Sequence, residues 1–128
     1  MLVSIAPASA DQFVSWKSYE IHYSSFSSLI IPAEVARVHG ITRAENRIIT
    51  NISIRQGDKT IRANIEGFVK NLLGQELELE FSEVVEQDAI YYLASHVINE
   101  KESITFNIEV QPVNTTETYH LVFSRQYY

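Results

Sequence analysis

The sequence contains no cysteine, which excludes a disulfide framework, a thiolate zinc site and a cysteine nucleophile, and leaves the redox compartment undecided. Basic residues are scarce: ten Lys and Arg against sixteen Asp and Glu give a net charge of −6 and a pI of about 5.1. A chain of that sign has no global electrostatic drive toward nucleic acid or an anionic bilayer. The four glycines are scattered, so they build neither a Walker loop nor a dinucleotide fingerprint, and GxSxG and HExxH are missing as well. No run reaches the roughly 18 apolar residues that span a bilayer.

What is present describes one folded domain. With 128 residues, 45% of them hydrophobic, folding removes roughly two-thirds of the unfolded chain's surface from water, enough for a core without metal or disulfide staples. Residues 1–10, MLVSIAPASA, form a short apolar run ending in Ala8-Ser9-Ala10, whose small alternate side chains suit signal peptidase. The reading is the tail of a secretion signal over 1–10, followed by a single domain over 11–128, exported and without a membrane span.

From 47 to 81, apolar and polar residues alternate at the strand period. In Gln56-Gly57-Asp58-Lys59 the glycine can take the positive φ of a two-residue type II′ loop, setting Ile54 opposite Ile61, Ile52 opposite Ala63 and Thr50 opposite Ile65. Asn71-Leu72-Leu73-Gly74-Gln75 fits a three-residue loop with Gly74 left-handed, pairing Asn71 with Gln75, Val69 with Leu77, Gly67 with Leu79 and Ile65 with Phe81. Both registers put Ile65 on the same apolar face, an agreement that a one-residue slip reverses. Glu76, Glu78 and Glu80 fall on the opposite face, a solvated strand face with Lys70 beside Glu76.

A second meander is expected around Asn99-Glu100-Lys101-Glu102, placing Val97 near Ile104, Ser95 near Phe106 and Leu93 near Ile108. The segment from Ala89 to Ile98 is apolar on both parities, as for a strand covered on both sides. Tyr119, Leu121 and Phe123 supply another apolar stripe, and Tyr19, Ile21 and Tyr23 one more strand. Pro32 to His39, closed by Gly40, is the one helix signal, and Thr42-Arg43-Ala44-Glu45 marks a turn. Two apolar sheet faces bury each other most simply as an antiparallel, immunoglobulin-like β-sandwich of about seven strands with one short helix, an all-β fold.

No catalytic constellation is fixed by spacing. His22, His39, His96 and His120 are not paired at metal-ligating intervals, and a copper-binding sandwich would be expected to offer Met or an N-terminal His; the one Met is Met1. No metal and no cofactor is therefore assigned. Arg43 and Arg47, with Arg55 and Arg62, are the nearest approach to a basic patch, but interspersed Glu argues against a nucleic-acid groove. Tyr91, Tyr119 and Phe123 read as core, whereas Trp16, Tyr127 and Tyr128 sit near the ends, where they cover a sheet edge or lie exposed.

Tyr19-Glu20-Ile21-His22-Tyr23, Pro32 through Ala36, Arg43 to Asn46, Asn51 and Asn71-Leu72-Leu73-Gly74-Gln75 together resemble a family of small exported proteins of Gram-negative bacteria, catalogued as domain of unknown function 4426. The resemblance covers most of the chain after Ala10 and implies a periplasmic or envelope location. It supplies no activity. The functional expectation is a non-catalytic domain that binds a protein or small ligand of the envelope through its outer sheet face and loops, with His22, Arg43, Arg47 and Asn51 as binding candidates and no catalytic residue assigned. The alternatives are a hydrolase or metal-binding site built from dispersed residues and a homodimer formed through a sheet edge.

Overall fold

A computed structural model describes residues 12–99 and 102–127. Residues 1–10, expected to be the tail of a secretion signal, the middle of the Asn99-Glu102 turn and Tyr128 lie outside the described residues. The described residues form ten strands in chain order: β1 (Gln12–Trp16), β2 (Tyr19–Ser27), β3 (Arg47–Gln56), β4 (Lys59–Ile61), β5 (Ala63–Asn71), β6 (Glu76–Leu79), β7 (Ser82–Glu86), β8 (Ala89–Val97), β9 (Ser103–Pro112) and β10 (Tyr119–Gln126). A 3-10 turn (Ser28–Ile30) and the short helix α1 (Ala33–Val38) connect β2 to β3. Pro32 caps the helix start, where its missing N–H costs nothing.

The strands form two antiparallel sheets, an all-β sandwich: β1-β2-β3-β8-β7, with β4 also on β3, faces β10-β9-β5-β6. Ile21, Ile52 and Ile54 from the first sheet meet Phe106, Ile108 and Val110 from the second, all fully buried. Phe106 and Phe123 stack at 4.5 Å between ring centroids. Each such side chain contributes roughly 1.5–3 kcal/mol by leaving water, so this seam dominates stability. A second cluster lies on the outer face of the larger sheet, where Ile31 and Ala36 cover Phe26, Ile49 and Leu93.

Both glycine turns form as expected. Gly57 has φ 64 and Gly74 φ 81, and the second hairpin pairs Val69 with Leu77 and Gly67 with Leu79. Lys70 meets Glu76 at 3.8 Å. The first hairpin is shorter than its alternation suggested: Ile54 pairs with Ile61, but Ile52 and Thr50 pair with Tyr92 and Ala94 of β8 instead of Ala63 and Ile65. After Ile61 the chain crosses at Arg62 to the opposite sheet. Ile52 and Ile65 still address one core, across the sandwich rather than side by side.

The expected β8–β9 meander is replaced by a second crossing. β8 pairs with β3 and β7, β9 with β5 and β10, so Leu93 is not beside Ile108. The cause is the two-sided apolarity of β8: Tyr92 and Ala94 fill the inter-sheet core while Leu93 packs under the helix segment. Only a central place in the larger sheet covers both faces. These crossings, with β1 and β7 at the edges, raise the strand number above seven.

Candidate functional site

β5 pairs with β9 along its whole length, Ala63 with Pro112 through Asn71 with Ile104. On its other side β6 pairs only with Gly67 to Lys70, because the chain leaves the sheet after Leu79 to begin β7. Among the described residues, no strand covers that side of Ala63–Glu66. Strand alternation gives the direction of the backbone there. The Asn71 N–H donates to the Gln75 carbonyl at 3.1 Å, and the Ala63 N–H to Tyr92 Oη at 2.9 Å, both away from β9. Ile65 shares their parity, so its N–H and C=O face the open side.

A cavity of about 450 Å³ follows this free edge, lined by Ile65, Phe81 and Tyr92, by Glu83 of β7, which shares the face of Tyr92, and by Glu66 and Glu109 from the outer face of the smaller sheet. Tyr92, 5% exposed, holds the crossing in place. Its O–H donates to Glu83 Oε2 at 3.0 Å, and Arg62 Nε donates to the same oxygen at 3.3 Å. Burial raises the phenol pKa, the Ala63 N–H opposes that shift and the Glu83 carboxylate adds to it. Tyr92 therefore stays a neutral donor. Glu66 and Glu109 sit directly opposite each other, a like-charge cross-strand arrangement that costs stability. A second cavity of about 520 Å³ shares both carboxylates and adds Glu76, Glu78 and His120. The outer face of the smaller sheet is thus an acidic trough leading to an open strand edge.

At the opposite end lies a smaller cavity of about 170 Å³, bounded by Val69, Asn71, Glu76, Asn99 and Glu102, with His96 in its wall. His96 is 4% exposed, its ring meets Phe106 edge-on at 5.8 Å, and neither ring nitrogen has a hydrogen-bond partner. Burial pushes its pKa down to about 4, with Glu102 pulling weakly the other way.

The four sequence candidates belong to the other face, the outer side of the larger sheet and its loop. His22 stacks on Phe13 at 5.2 Å and bonds Glu20 at 3.1 Å. Arg43 donates to the Leu29 carbonyl at 3.1 Å, and Arg47 to Ser95 Oγ at 3.4 Å. Asn51 is 4% exposed, with Oδ1 unpartnered. Register places Asn51 beside Ser24, and His22 beside Ser53 one step further along. The four share a face without lining any of the cavities described above. Glu66, Phe81, Glu83 and Glu109 were not singled out from the sequence; the one signal toward them was the pairing of Ile65 with Phe81, which marks where the edge strand would have continued.

Among the described residues, no group of three or more His, Asp or Glu is placed to hold a metal ion, and no Ser or Thr hydroxyl bonds a histidine. No described helix is long and apolar enough to cross a membrane. The arrangement is that of a two-sheet sandwich with polar grooves at an open strand edge. Residues 14–128 match the family described as a domain of unknown function, DUF4426, and the chain belongs to that family. A crystal structure of a DUF4426 family protein from Pseudomonas aeruginosa PAO1 is similar, with 27% identity, a TM-score of 0.85, and coverage of 94% of this chain and 96% of that one. A copper-bound variant of FetP from uropathogenic Escherichia coli strain F11 has the same fold at 14% identity and TM-score 0.65, covering 92% and 95% of the two chains. FetP as isolated after recombinant expression in the E. coli periplasm aligns at 11% identity and TM-score 0.63, covering 92% and 93%. No curated protein matches the sequence.

Proposed function

We propose that this protein is a non-catalytic accessory domain of the bacterial envelope, working in the periplasm, that binds a cationic ligand or partner in the acidic trough of the smaller sheet. The observation that carries the reading is the convergence of Glu66, Glu83 and Glu109 with Phe81 and Tyr92 on one open cavity. Carboxylates attract a cation, and aromatic faces favour its close approach. The shared fold with FetP and the apolar leader-like start both support an exported setting. Copper itself fits poorly: among the described residues no three His, Asp or Glu are placed to hold a metal ion, and His96, the buried one, lacks the second acceptor that fixes a metal-ligating imidazole.

The test is calorimetric titration of the purified chain with spermidine and with a lysine-bearing peptide at low ionic strength. Binding is expected, weakened about tenfold or more by Glu66→Gln with Glu109→Gln and by raised salt. Silence toward both probes sinks the reading. His22, Arg43, Arg47 and Asn51 remain our proposal for a second contact surface; their alanine variants are expected to leave amine binding unchanged. Export is tested separately, by osmotic-shock fractionation of the full-length protein.

A further inference from the structure

We infer that the trough's occupant is an extended polypeptide segment of alternating basic and apolar residues, which adds as a strand to the open side of β5 at Ala63–Glu66. This rests on the reading of the trough as a cation site and deepens it. A small amine would need only the carboxylates. The structure offers more: the Ile65 N–H and C=O, aimed together toward the cavity that Phe81 and Glu83 also line. A backbone edge of this kind is read by main-chain hydrogen bonds, while alternate side chains select the partner.

The two sides of the edge specify the alternation. Outward, Glu66 and Glu109 are exposed and face each other across β5 and β9, and among the described residues no cation is paired with either. Inward, Ile65 and Phe81 are half-buried against the main core. An added strand therefore places lysine or arginine side chains over the carboxylates and small apolar ones against Ile65 and Phe81. Such a strand also relieves the repulsion between Glu66 and Glu109. Glu83 is less available because Arg62 and Tyr92 already hold it.

The test uses the whole purified chain and a capped peptide of alternating valine and lysine. Its comparators are the same peptide N-methylated at alternate amides in each of the two phases, and spermidine. Tighter binding of the parent peptide than of spermidine is expected, with a loss of about tenfold or more in one N-methyl phase only. Amide exchange read by NMR is expected to slow at Ile65 on peptide addition, while Asn64 and Glu66, already bonded to β9, change little. Ile65→Pro deletes the outward N–H at an edge position where proline is tolerated and is expected to weaken the peptide but not spermidine. Peptide and spermidine binding alike, with both N-methyl phases unimpaired and Ile65 exchange unchanged, overturns strand addition and leaves the cation site standing. No binding by either overturns both.

Discussion

Lowering the pH tests how dry the end of the sandwich is, through His96. An ordinary histidine titrates near 6.5; burial holds this one at about 4. The folded state therefore binds fewer protons than the unfolded state between those values, and stability falls as pH falls through that window. From pH 7 to pH 5 the loss is about 2 kcal/mol, approaching about 3 kcal/mol near pH 4, from a linkage of 1.36 kcal/mol per unit. The acids facing His96 across the cavity are Glu102 and Glu76. Both carboxylates are retained when His96 is replaced, so the difference between the two proteins isolates the imidazole. Urea unfolding at pH 7, 6 and 5 is the assay, with His96→Leu as reference. The wild-type midpoint should drop by about 1 M more than the variant's, for a slope of roughly 2 kcal/mol per molar. Equal pH dependence in the two proteins, or an NMR titration of His96 centred near 6.5, refutes the reasoning.

Three further substitutions probe the framework. Gly67→Ala would bring a Cβ to 2.5 Å from the Asn107 carbonyl oxygen and 3.0 Å from Ile108 Cα; a backbone that must move should cost about 2–3 kcal/mol in a thermal melt, and a neutral result would show that β5 and β9 are more loosely apposed. Tyr92→Phe strips the acceptor from the Ala63 N–H and the donor from Glu83, for an expected loss of about 1–2 kcal/mol by chemical denaturation. Thr50→Val replaces a fully buried hydroxyl that has no partner with a methyl group; stability should hold or rise by up to about 1 kcal/mol, and a marked fall would reveal a partner for the hydroxyl.

Much of the strand pattern was legible because alternation reports which face is oily, and that survives into the structure at Tyr19, Ile21, Ile54, Ile61, Val69, Leu121 and Phe123, whereas Leu77 stays 49% exposed at the sheet edge. Turn chemistry was legible for a different reason: Gly57 and Gly74 sit where a left-handed φ is needed, and few other residues accept it. Sheet membership was not. An inward-facing isoleucine has the same sequence signature whether its neighbour is hydrogen-bonded about 5 Å away or stands across the core about 10 Å away. Hence Ile65 was correctly turned toward Ile52, yet the chain had already changed sheets at Arg62.

The candidate site is the product of that same ambiguity. Continuing β6 through Phe81 to pair with Ile65 would close the β5 edge and leave only an acidic surface. Instead Glu80 and Phe81 lead into β7, whose Val84 packs over the helix-covered face with Tyr91, and Glu83 is drawn to Tyr92 and Arg62. The competition is between a few further ladder bonds on β5 and a strand on β8 that completes cover for a doubly apolar segment. On β8 the strand adds Val84 to the cover over the outer cluster that contains Leu93. The open edge at Ala63–Glu66 is therefore a consequence of how the core is satisfied on the opposite sheet. No motif local to those residues could have announced it.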